Sequence, residues 1–506
     1  MTQADDQLDR RAGAGHPGGP ALADWLAVVL VMVSSAAVLV LEILAGRLLA
    51  PYIGVSLETY TGIIGTVLAG IALGAGLGGR MADRRDPRAL LPVLFVAGGA
   101  AAMLAIPTIR IIGGWAGPDI TGRTVLLSGL GFLPSAMVLS AVAPAVVKLQ
   151  LRDLGATGSI VGRLSAFGTA GAIVGTFLTG FVLVRWAAVT TLIIAVGLVL
   201  IVVGLTLWLV SGRQAVRAMA GAGTAAAVAL TGVITVEGPC DRHTSYYCLS
   251  VRVDPAQPSG RTLVLDDLSH SYIDLADPTH LKFWYIRSIV DSIEALAPAG
   301  PLDVVYLGGG ALTIPRYLRA TRAGSDQTVL EIDADLVELV EQDLGFKQGP
   351  DVDIVIGDGR LSMAGLATDS ADVVVGDAFG SRAVPWHLAT EEFLGEVQRV
   401  LRPGGIYSAN IIDNPGAQFL RAEAATIRRV LPHLQVIRGP LTVAGRAGNS
   451  IIVASDRPIA AAALEARRAS RGELGETVAD LEVFLADAQI LTDDLAPVDQ
   501  LIAAGG

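Results

Sequence analysis

The stretch Asp303-Val-Val-Tyr-Leu-Gly-Gly-Gly310 is an apolar run that ends in three glycines, and Ala-Leu-Thr-Ile-Pro-Arg316 follows it. A run of this kind is typical of a parallel strand buried on both faces, and the residues after the glycines favour a helix start. Glycines let a backbone approach a ligand closely, and a helix N-terminus offers unpaired N–H groups. The pattern indicates either a ligand-binding turn or a turn that is rich in glycine for packing alone.

Three further apolar runs each end near an acidic residue: Glu331 in 328–333, Asp358 in 353–359, and Asp377 in 371–379. The carboxyl ends of parallel strands meet at one edge of a sheet, where such folds bind ligands. Glu331 lies roughly 20 residues past the glycines, where a carboxylate accepts both hydroxyls of a ribose. A single acid after a strand is usually a helix cap, but three of them together favour a nucleoside site.

Composition divides the chain of 506 residues into two halves. It is 52% hydrophobic with a mean hydropathy of +0.56, which is too apolar for an ordinary soluble protein. Residues 1–236 carry 15 basic and 10 acidic side chains, whereas residues 237–506 carry 22 and 38. The sequence therefore predicts a membrane half followed by an acidic soluble half, and the acidity argues against nucleic acid as a partner.

The first half is expected to be a polar, disordered tail at 1–20 and then a multi-span membrane domain at 21–236. Each apolar run is long enough to cross a bilayer core as a helix of about 20 residues. The predicted spans are 23–45, 60–79, 90–112, 125–147, 162–184, 188–210 and 217–236.

Basic residues in the short loops predict the orientation of these spans. One side carries 11 Lys and Arg and the other carries 4, so the first side is expected to be cytoplasmic. With seven spans the acidic half lies outside the cell membrane, and with six it lies inside. The repeated pattern GTxxxG at 65–70 and 175–180 is open to two interpretations, a repeated transporter-like half or close helix packing. Glu42, near the end of the first span, is open to a transport role or to pairing with Arg47 at the interface.

Two cysteines, Cys240 and Cys248, lie just after the last span and are the only ones in the chain. A close pair at a membrane exit favours a disulfide in an oxidising compartment, and two buried thiols are the alternative. His243 between them does not complete a zinc site, so no metal is expected.

The rest of the acidic half predicts further elements around the four strands. A small β unit is expected at 245–253 and 261–266 within the segment 237–300, and a helix is expected at 278–296. A helix at 391–401 and a strand at 406–412 should follow, with antiparallel edge strands at 434–438 and 450–454 and a helical tail at 457–491.

These motifs resemble the spermidine synthase (polyamine aminopropyltransferase) family. The resemblance rests on Val305-Tyr-Leu-Gly-Gly-Gly, Leu330-Glu-Ile-Asp, Gly357-Asp-Gly-Arg, the strand end at Asp377 and Leu401-Arg-Pro-Gly-Gly, with Leu265-Asp-Asp and Tyr285 upstream. With Glu42-Ile-Leu-Ala-Gly-Arg and Gly78-Gly-Arg-Met-Ala-Asp-Arg, the whole chain is similar to bacterial membrane-fused spermidine synthase-like proteins. This implies a helical bundle of about seven spans followed, at 301–506, by a Rossmann-like methyltransferase-type α/β domain.

The resemblance also implies residue roles. Gly308, Gly309, Gly310 and Glu331 would hold decarboxylated S-adenosylmethionine or methylthioadenosine, with no covalently bound cofactor, and Asp358 and Gly359 would hold its adenine. Asp377 would accept the proton of the attacking amine, because only a neutral amine displaces the sulfonium-bound aminopropyl carbon. Expected substrate contacts come from four side chains of the soluble half: Tyr247, Tyr285, Trp386 and His387.

Three positions depart from the family pattern. Ala311 and Gly380 stand where the family has amine-binding acids, and Ile286 stands where it has a histidine. Trp386, His387 and Tyr407 would then rebuild a different acceptor pocket. The expected function is aminopropyl transfer to an amine such as putrescine, and the alternative is a non-catalytic nucleoside-binding sensor or transporter-linked module. The expected partners are the lipid bilayer, the nucleoside and the amine, with a homodimer left open.

Overall fold

The computed structural model describes residues 23–114, 120–151, 154–210, 216–380, 384–473 and 475–503. The chain forms two compact units, one of residues up to Leu49 with Thr61–Glu237, and one of Ala50–Tyr60 with Gly238 onward. The predicted tail at 1–20 lies outside the described residues. The domain boundaries drawn from the sequence stay predictions.

Long apolar helices make up the described part of the first unit. Each predicted span corresponds to a helical stretch that is long and apolar enough to cross a bilayer. The fourth is broken near Ala141 into Ile120–Ser140 and Val142–Gln150. The seven candidate spanning helices among the described residues are Asp24–Ile53, Leu57–Arg84, Pro87–Ile112, Gly122–Gln150, Thr157–Leu183, Val189–Val210 and Val216–Thr235.

The two GTxxxG patterns use different glycines for packing. A Cβ on Gly70 would lie 2.9 Å from the Cβ of Ala136, and a Cβ on Gly175 would lie 2.9 Å from the backbone oxygen of Ala36. Gly65 and Gly180 face open space. The packing glycine is last in one motif and first in the other, which favours close helix packing over equivalent repeats.

The second unit begins with a four-stranded antiparallel sheet in chain order. A disulfide joins Cys240 to Cys248, which confirms the pairing prediction. The last strand was missed from the sequence because the turn before it, at Asp266 with φ of 54°, uses Asp instead of Gly. The strands are β1 Arg242–His243, β2 Cys248–Asp254, β3 Gln257–Leu265 and β4 Leu268–Asp274.

A large mixed sheet follows, in the order β12-β10-β11-β9-β8-β5-β6-β7. Strands β5 to β9 are parallel, and β10, β11 and β12 form the predicted antiparallel edge. The Rossmann-like α/β fold is thereby confirmed. The strands are β5 Asp303–Leu307, β6 Asp326–Glu331, β7 Val352–Ile356, β8 Ala371–Gly376, β9 Leu401–Asp413, β10 His433–Arg438, β11 Gly448–Ser455 and β12 Glu476–Thr477.

Helices cover both faces of this sheet, so successive residues of β5 are buried on opposite sides. Val304 and Tyr306 belong to one hydrophobic cluster, and Val305 and Leu307 belong to the other. This is the double burial that its apolar run predicted. The helices are Trp284–Leu296, Thr313–Thr321, Ala334–Gln342, Gly359–Ala364, Glu391–Val400, Gln418–Val430, Pro440–Val443, Ala461–Ser470, Leu481–Leu485 and Val498–Ala503.

Two helix predictions were wrong in extent. The helix expected at 278–296 begins only at Trp284. The residues before it form a turn in which the N–H and the hydroxyl of Thr279 donate hydrogen bonds to the side chain of Asp277. The tail expected to be helical at 457–491 is interrupted by β12. Gly472 and Gly475 adopt positive φ there, which ends the helix that precedes them.

Candidate functional site

The carboxyl edge of the parallel strands gathers the glycine turn and the three acids. Because β7, β6, β5 and β8 are neighbours in that order, Asp358, Glu331, the glycines and Asp377 follow one another along this edge. Strand β9 lies next to β8 and contributes Asn410. The site is therefore assembled from residues that are far apart in the chain.

The glycine turn requires glycine at two of its positions. Gly308 has φ of +88°, and a Cβ there would lie 2.6 Å from the backbone oxygen of Asp377. Gly310 has φ of +51°, and a Cβ there would lie 2.5 Å from Oγ of Ser271. A side chain at either position would meet strain and collision together.

Glu331 ties the glycine turn to the end of β6. Its Oε2 accepts a hydrogen bond from the N–H of Gly309 at 2.8 Å, and its Oε1 accepts one from the N–H of Asp333 at 3.0 Å. Burial raises the pKa of Glu331, and these two amide donors oppose that rise. The carboxyl group is thereby fixed in orientation at the rim of the site.

Asp358 has both of its carboxylate oxygens engaged. Oδ1 accepts from the N–H groups of Arg360 and Leu361, as a helix cap does, and Oδ2 lies 3.0 Å from Nε2 of His387. Burial acts to raise the pKa of Asp358, but the amide of Leu361 and the bond to His387 outweigh it, so the pKa lies below its usual value. The cap interpretation and a ligand role coexist at this residue.

Asp377 directly follows β8 at this edge and accepts a hydrogen bond from a neighbouring strand. Burial raises the pKa of its carboxyl group to about 7, and a hydrogen bond from Asn410 opposes that rise. Nδ2 of Asn410 donates to Oδ1 of Asp377 at 2.8 Å, and Nδ2 of Asn449 donates to Oδ1 of Asn410 at 2.9 Å. A carboxyl group poised near neutral pH is suited to general base catalysis.

A cavity of about 200 Å³ opens over this edge. It brings together most of the residues predicted from the sequence: Gly308, Gly310, Glu331, Asp358, Gly359, Asp377, Tyr247 and His387. Gly309 acts through its N–H on Glu331 and does not line the cavity. Gly380, which replaces a family acid, does line it.

Two expected substrate contacts do not line the cavity. Trp386 is 51% exposed and sits outside it. Tyr285 is buried and donates from its hydroxyl to the backbone oxygen of His270, so it supports β4 instead of facing the ligand. Tyr407 does not line this cavity either, because it lies on the face of β9 opposite to Asn410 and packs in the second hydrophobic cluster.

Several lining residues were not predicted. His270 and Ser271 belong to β4, the strand missed from the sequence, and Phe379 lies two residues beyond Asp377. The hydroxyl of Tyr247 donates to the backbone oxygen of Phe379 at 2.9 Å, which anchors the small sheet over the edge. Asn410 had one signal in the sequence, since it is an amide within the largely apolar run 406–412.

The domain that holds the site is similar in sequence to a methyltransferase family and to polyamine aminopropyltransferases. Residues 305–409 match the family model of a methyltransferase domain. A polyamine aminopropyltransferase of Vibrio vulnificus is 26% identical over 175 residues, covering 34% of this chain and 56% of the relative. Polyamine aminopropyltransferase 2 of Streptomyces coelicolor is 27% identical over 416 residues, covering 78% of this chain and 75% of the relative.

A crystal structure of a probable spermidine synthase from Corynebacterium glutamicum is similar at 28% identity and a TM-score of 0.48, covering 52% of this chain and 99% of that one. The chain spans about half the length of the first curated relatives that it matches, at 56%. The match to the Streptomyces coelicolor relative is long enough to extend into the helices before residue 237.

Proposed function

Because the chain belongs to the spermidine synthase-like family, we propose that it transfers an aminopropyl group from decarboxylated S-adenosylmethionine to a primary amine. The observation that carries this proposal is the half-buried Asp377, whose pKa of about 7 and bond from Asn410 poise it as a base beside the glycine turn. The relatives named as transferases do not favour the alternative of a non-catalytic sensor.

The nucleoside would lie along the carboxyl edge in the order that the strands impose. Glu331 would accept the ribose hydroxyls next to the glycine turn, and Asp358 with Gly359 would contact the adenine. The sulfonium and its aminopropyl group would then point toward Asp377. This order follows the positions of β7, β6, β5 and β8 in the sheet.

The proposed reaction transfers one proton and exchanges one C–S bond for one N–C bond. Asp377 takes a proton from the ammonium of the acceptor, and the neutral nitrogen then attacks the aminopropyl carbon. The new N–C bond forms as the C–S bond breaks, and methylthioadenosine leaves with the electron pair of that bond. Positioning of the two reactants and removal of the proton are what these residues contribute.

The test is amine-dependent release of methylthioadenosine by the full chain in detergent. The acceptors should be a panel of primary amines that includes putrescine, and Asp377→Asn is the control because it keeps the shape and removes the base. We expect release with at least one amine, and a loss of roughly 10²- to 10⁴-fold in the variant. The activity would be refuted if, for every amine tested, wild type released no more methylthioadenosine than Asp377→Asn.

We also propose that the chain is a multi-pass protein of the cell membrane with the domain after residue 237 outside. Seven helices long enough to span, the excess of basic residues in loops on one side, and the disulfide between Cys240 and Cys248 support this arrangement. An external site would act on a nucleoside and an amine supplied outside the cytoplasm.

The side of the domain is testable with a single labelling site. Both native cysteines are disulfide-bonded, and Val483 is 70% exposed, so Val483→Cys introduces one reactive thiol. We expect a membrane-impermeant maleimide to label it in intact cells. Labelling only after the cells are lysed would place the domain inside.

A further inference from the structure

His270 lines the cavity and carries a buried polar atom that the described part of the fold leaves unpaired. Its side chain lines the cavity, and its Nε2 atom is buried without a hydrogen-bond partner among the described residues. An imidazole nitrogen left unpaired in a buried site costs free energy, and a ligand group that bonds to it recovers that cost. The atom is therefore a candidate contact for a substrate.

The position of His270 assigns it to the Asp377 end of the cavity. Its ring lies edge-on to the ring of Phe379, with centroids 6.4 Å apart, and Phe379 is two residues beyond Asp377. The hydroxyl of Tyr285 donates a hydrogen bond to the backbone oxygen of His270, and burial together with the negative charge of Asp377 raises the pKa of that same hydroxyl. The adenine end, at Asp358 and β7, is on the far side of the glycine turn.

Two of the three described carboxylates that line the cavity already accept hydrogen bonds from backbone N–H groups. Of the described lining residues, Glu331, Asp358 and Asp377 are the acids, and the first two bond to backbone N–H groups. Ala311 has no carboxylate to offer, and its own N–H donates to Oγ of Ser271 at 3.2 Å. Asp377 therefore remains to pair with a cation at this end.

The imidazole does not add a charge of either sign. Burial lowers the pKa of His270 to about 4, against a smaller opposing effect of Asp267, so the ring is neutral at pH 7. A neutral imidazole both donates and accepts a hydrogen bond, which matches a hydroxyl or an amide group. Besides Asp377, a second ammonium placed here would have only the carboxylate of Asp267 to offset its charge, and Asp267 acts on His270 without lining the cavity, so its desolvation would be costly.

We propose that His270 binds an uncharged polar end of the acceptor, so that the acceptor class is a monoamine carrying a hydroxyl or amide group in place of a second ammonium. This inference rests on the proposed aminopropyl transfer and narrows its acceptor. Asp377 holds the reacting amine, and His270 holds the other end of the same molecule.

Three acceptors of matched length separate the possibilities. They are 4-amino-1-butanol, with a hydroxyl end, putrescine, with a second ammonium, and butylamine, with a methyl end. The measurement is kcat/KM for methylthioadenosine release by the full chain in detergent. We expect the amino alcohol to exceed both of the others by roughly tenfold or more, because a buried polar group rejects analogues that leave it unpaired.

The variant His270→Phe keeps an aromatic ring against Phe379 and removes both nitrogens. We expect it to lose the preference for the amino alcohol over butylamine, through KM more than kcat. His433→Phe, at the start of β10 and away from the cavity, is the matched control and should keep the preference.

The outcomes separate this inference from the activity on which it rests. Putrescine as the best acceptor would overturn the inference and leave aminopropyl transfer standing. An unchanged preference in His270→Phe would overturn the role of His270. Release with none of the three acceptors would overturn the inference, and failure across the wider amine panel would overturn the activity as well.

Discussion

Asn410 of β9 donates a hydrogen bond of 2.8 Å from Nδ2 to Oδ1 of Asp377, which directly follows the neighbouring parallel strand β8. Burial raises the pKa of the carboxyl group, and this bond restrains the rise. Asn449 in turn donates to Asn410, which orients its amide so that nitrogen faces the acid. The pair sets how much of the base form of Asp377 exists at neutral pH.

The pH dependence of turnover follows from this pair. Only ionised Asp377 accepts a proton, so activity should rise with pH through an apparent pKa near 7. Asn410→Leu removes a donor that favours the ionised form, so the midpoint should move to higher pH. The check is a pH profile of methylthioadenosine release. A midpoint that stays fixed or moves down in Asn410→Leu would contradict the role of the bond.

Asp377 should also weaken the fold where it is ionised. Its pKa is 3.8 in the unfolded reference and about 7 in the folded chain, so its stabilising contribution is full below pH 4 and is lost as pH rises through 7. Asp377→Asn cannot ionise and should be more stable than wild type at pH 8, by up to about 4 kcal/mol. Denaturant unfolding of both proteins at pH 4 and pH 8 checks this. A gain that is equal at the two pH values would argue against an ionisation origin.

The glycine turn offers a comparison between two positive-φ glycines. Gly308 at φ +88° would place a Cβ 2.6 Å from the backbone oxygen of Asp377, whereas Gly300 at φ +95° faces open space. In both Ala variants the free energy of unfolding should fall by about 1 kcal/mol through backbone strain. In Gly308→Ala it should fall by a further ~1–3 kcal/mol, because the strand end must shift. Only Gly308→Ala should also lose turnover. Equal losses in the two variants would show that the contact with Asp377 is unimportant.

The disulfide between Cys240 and Cys248 should stabilise the small sheet. It closes a loop with a sequence separation of 8, for which chain entropy gives about 2–3 kcal/mol. Reductant should therefore lower the unfolding midpoint of wild type and leave the double variant Cys240→Ser, Cys248→Ser unchanged. An equal response of the two proteins to reductant would mean that the bond is absent in the purified chain.

Periodicity and strand-end chemistry were enough to predict the Rossmann-like sheet and its edge. The apolar runs that end at Gly308, Glu331, Asp358 and Asp377 carried that information, because the carboxyl ends of parallel strands share one edge. The order of the strands was not predicted and is seen only in the fold. The strand that carries His270 was not predicted, since its turn at Asp266 lacks a glycine signal.

Side-chain direction was the other gap. Trp386 and Tyr407 had suitable chemistry for a pocket, but only the fold places one in solvent and the other on the opposite face of β9. The partnership of Asn410 with Asp377 depends on a strand register that no local pattern encodes.

Binding of methylthioadenosine to the full chain, measured by calorimetry, tests the central claim that the nucleoside lies on this edge. Both oxygens of Glu331 are fixed by backbone amides, so Glu331→Gln would set an amide against an N–H and lose a charged acceptor for ribose. We predict binding to wild type and to Asp377→Asn, and at least roughly tenfold weaker binding to Glu331→Gln. Glu338→Gln, which alters an exposed carboxylate bonded to Gln342, should bind as wild type. No binding to wild type, or equal binding to Glu331→Gln and Glu338→Gln, would contradict the account.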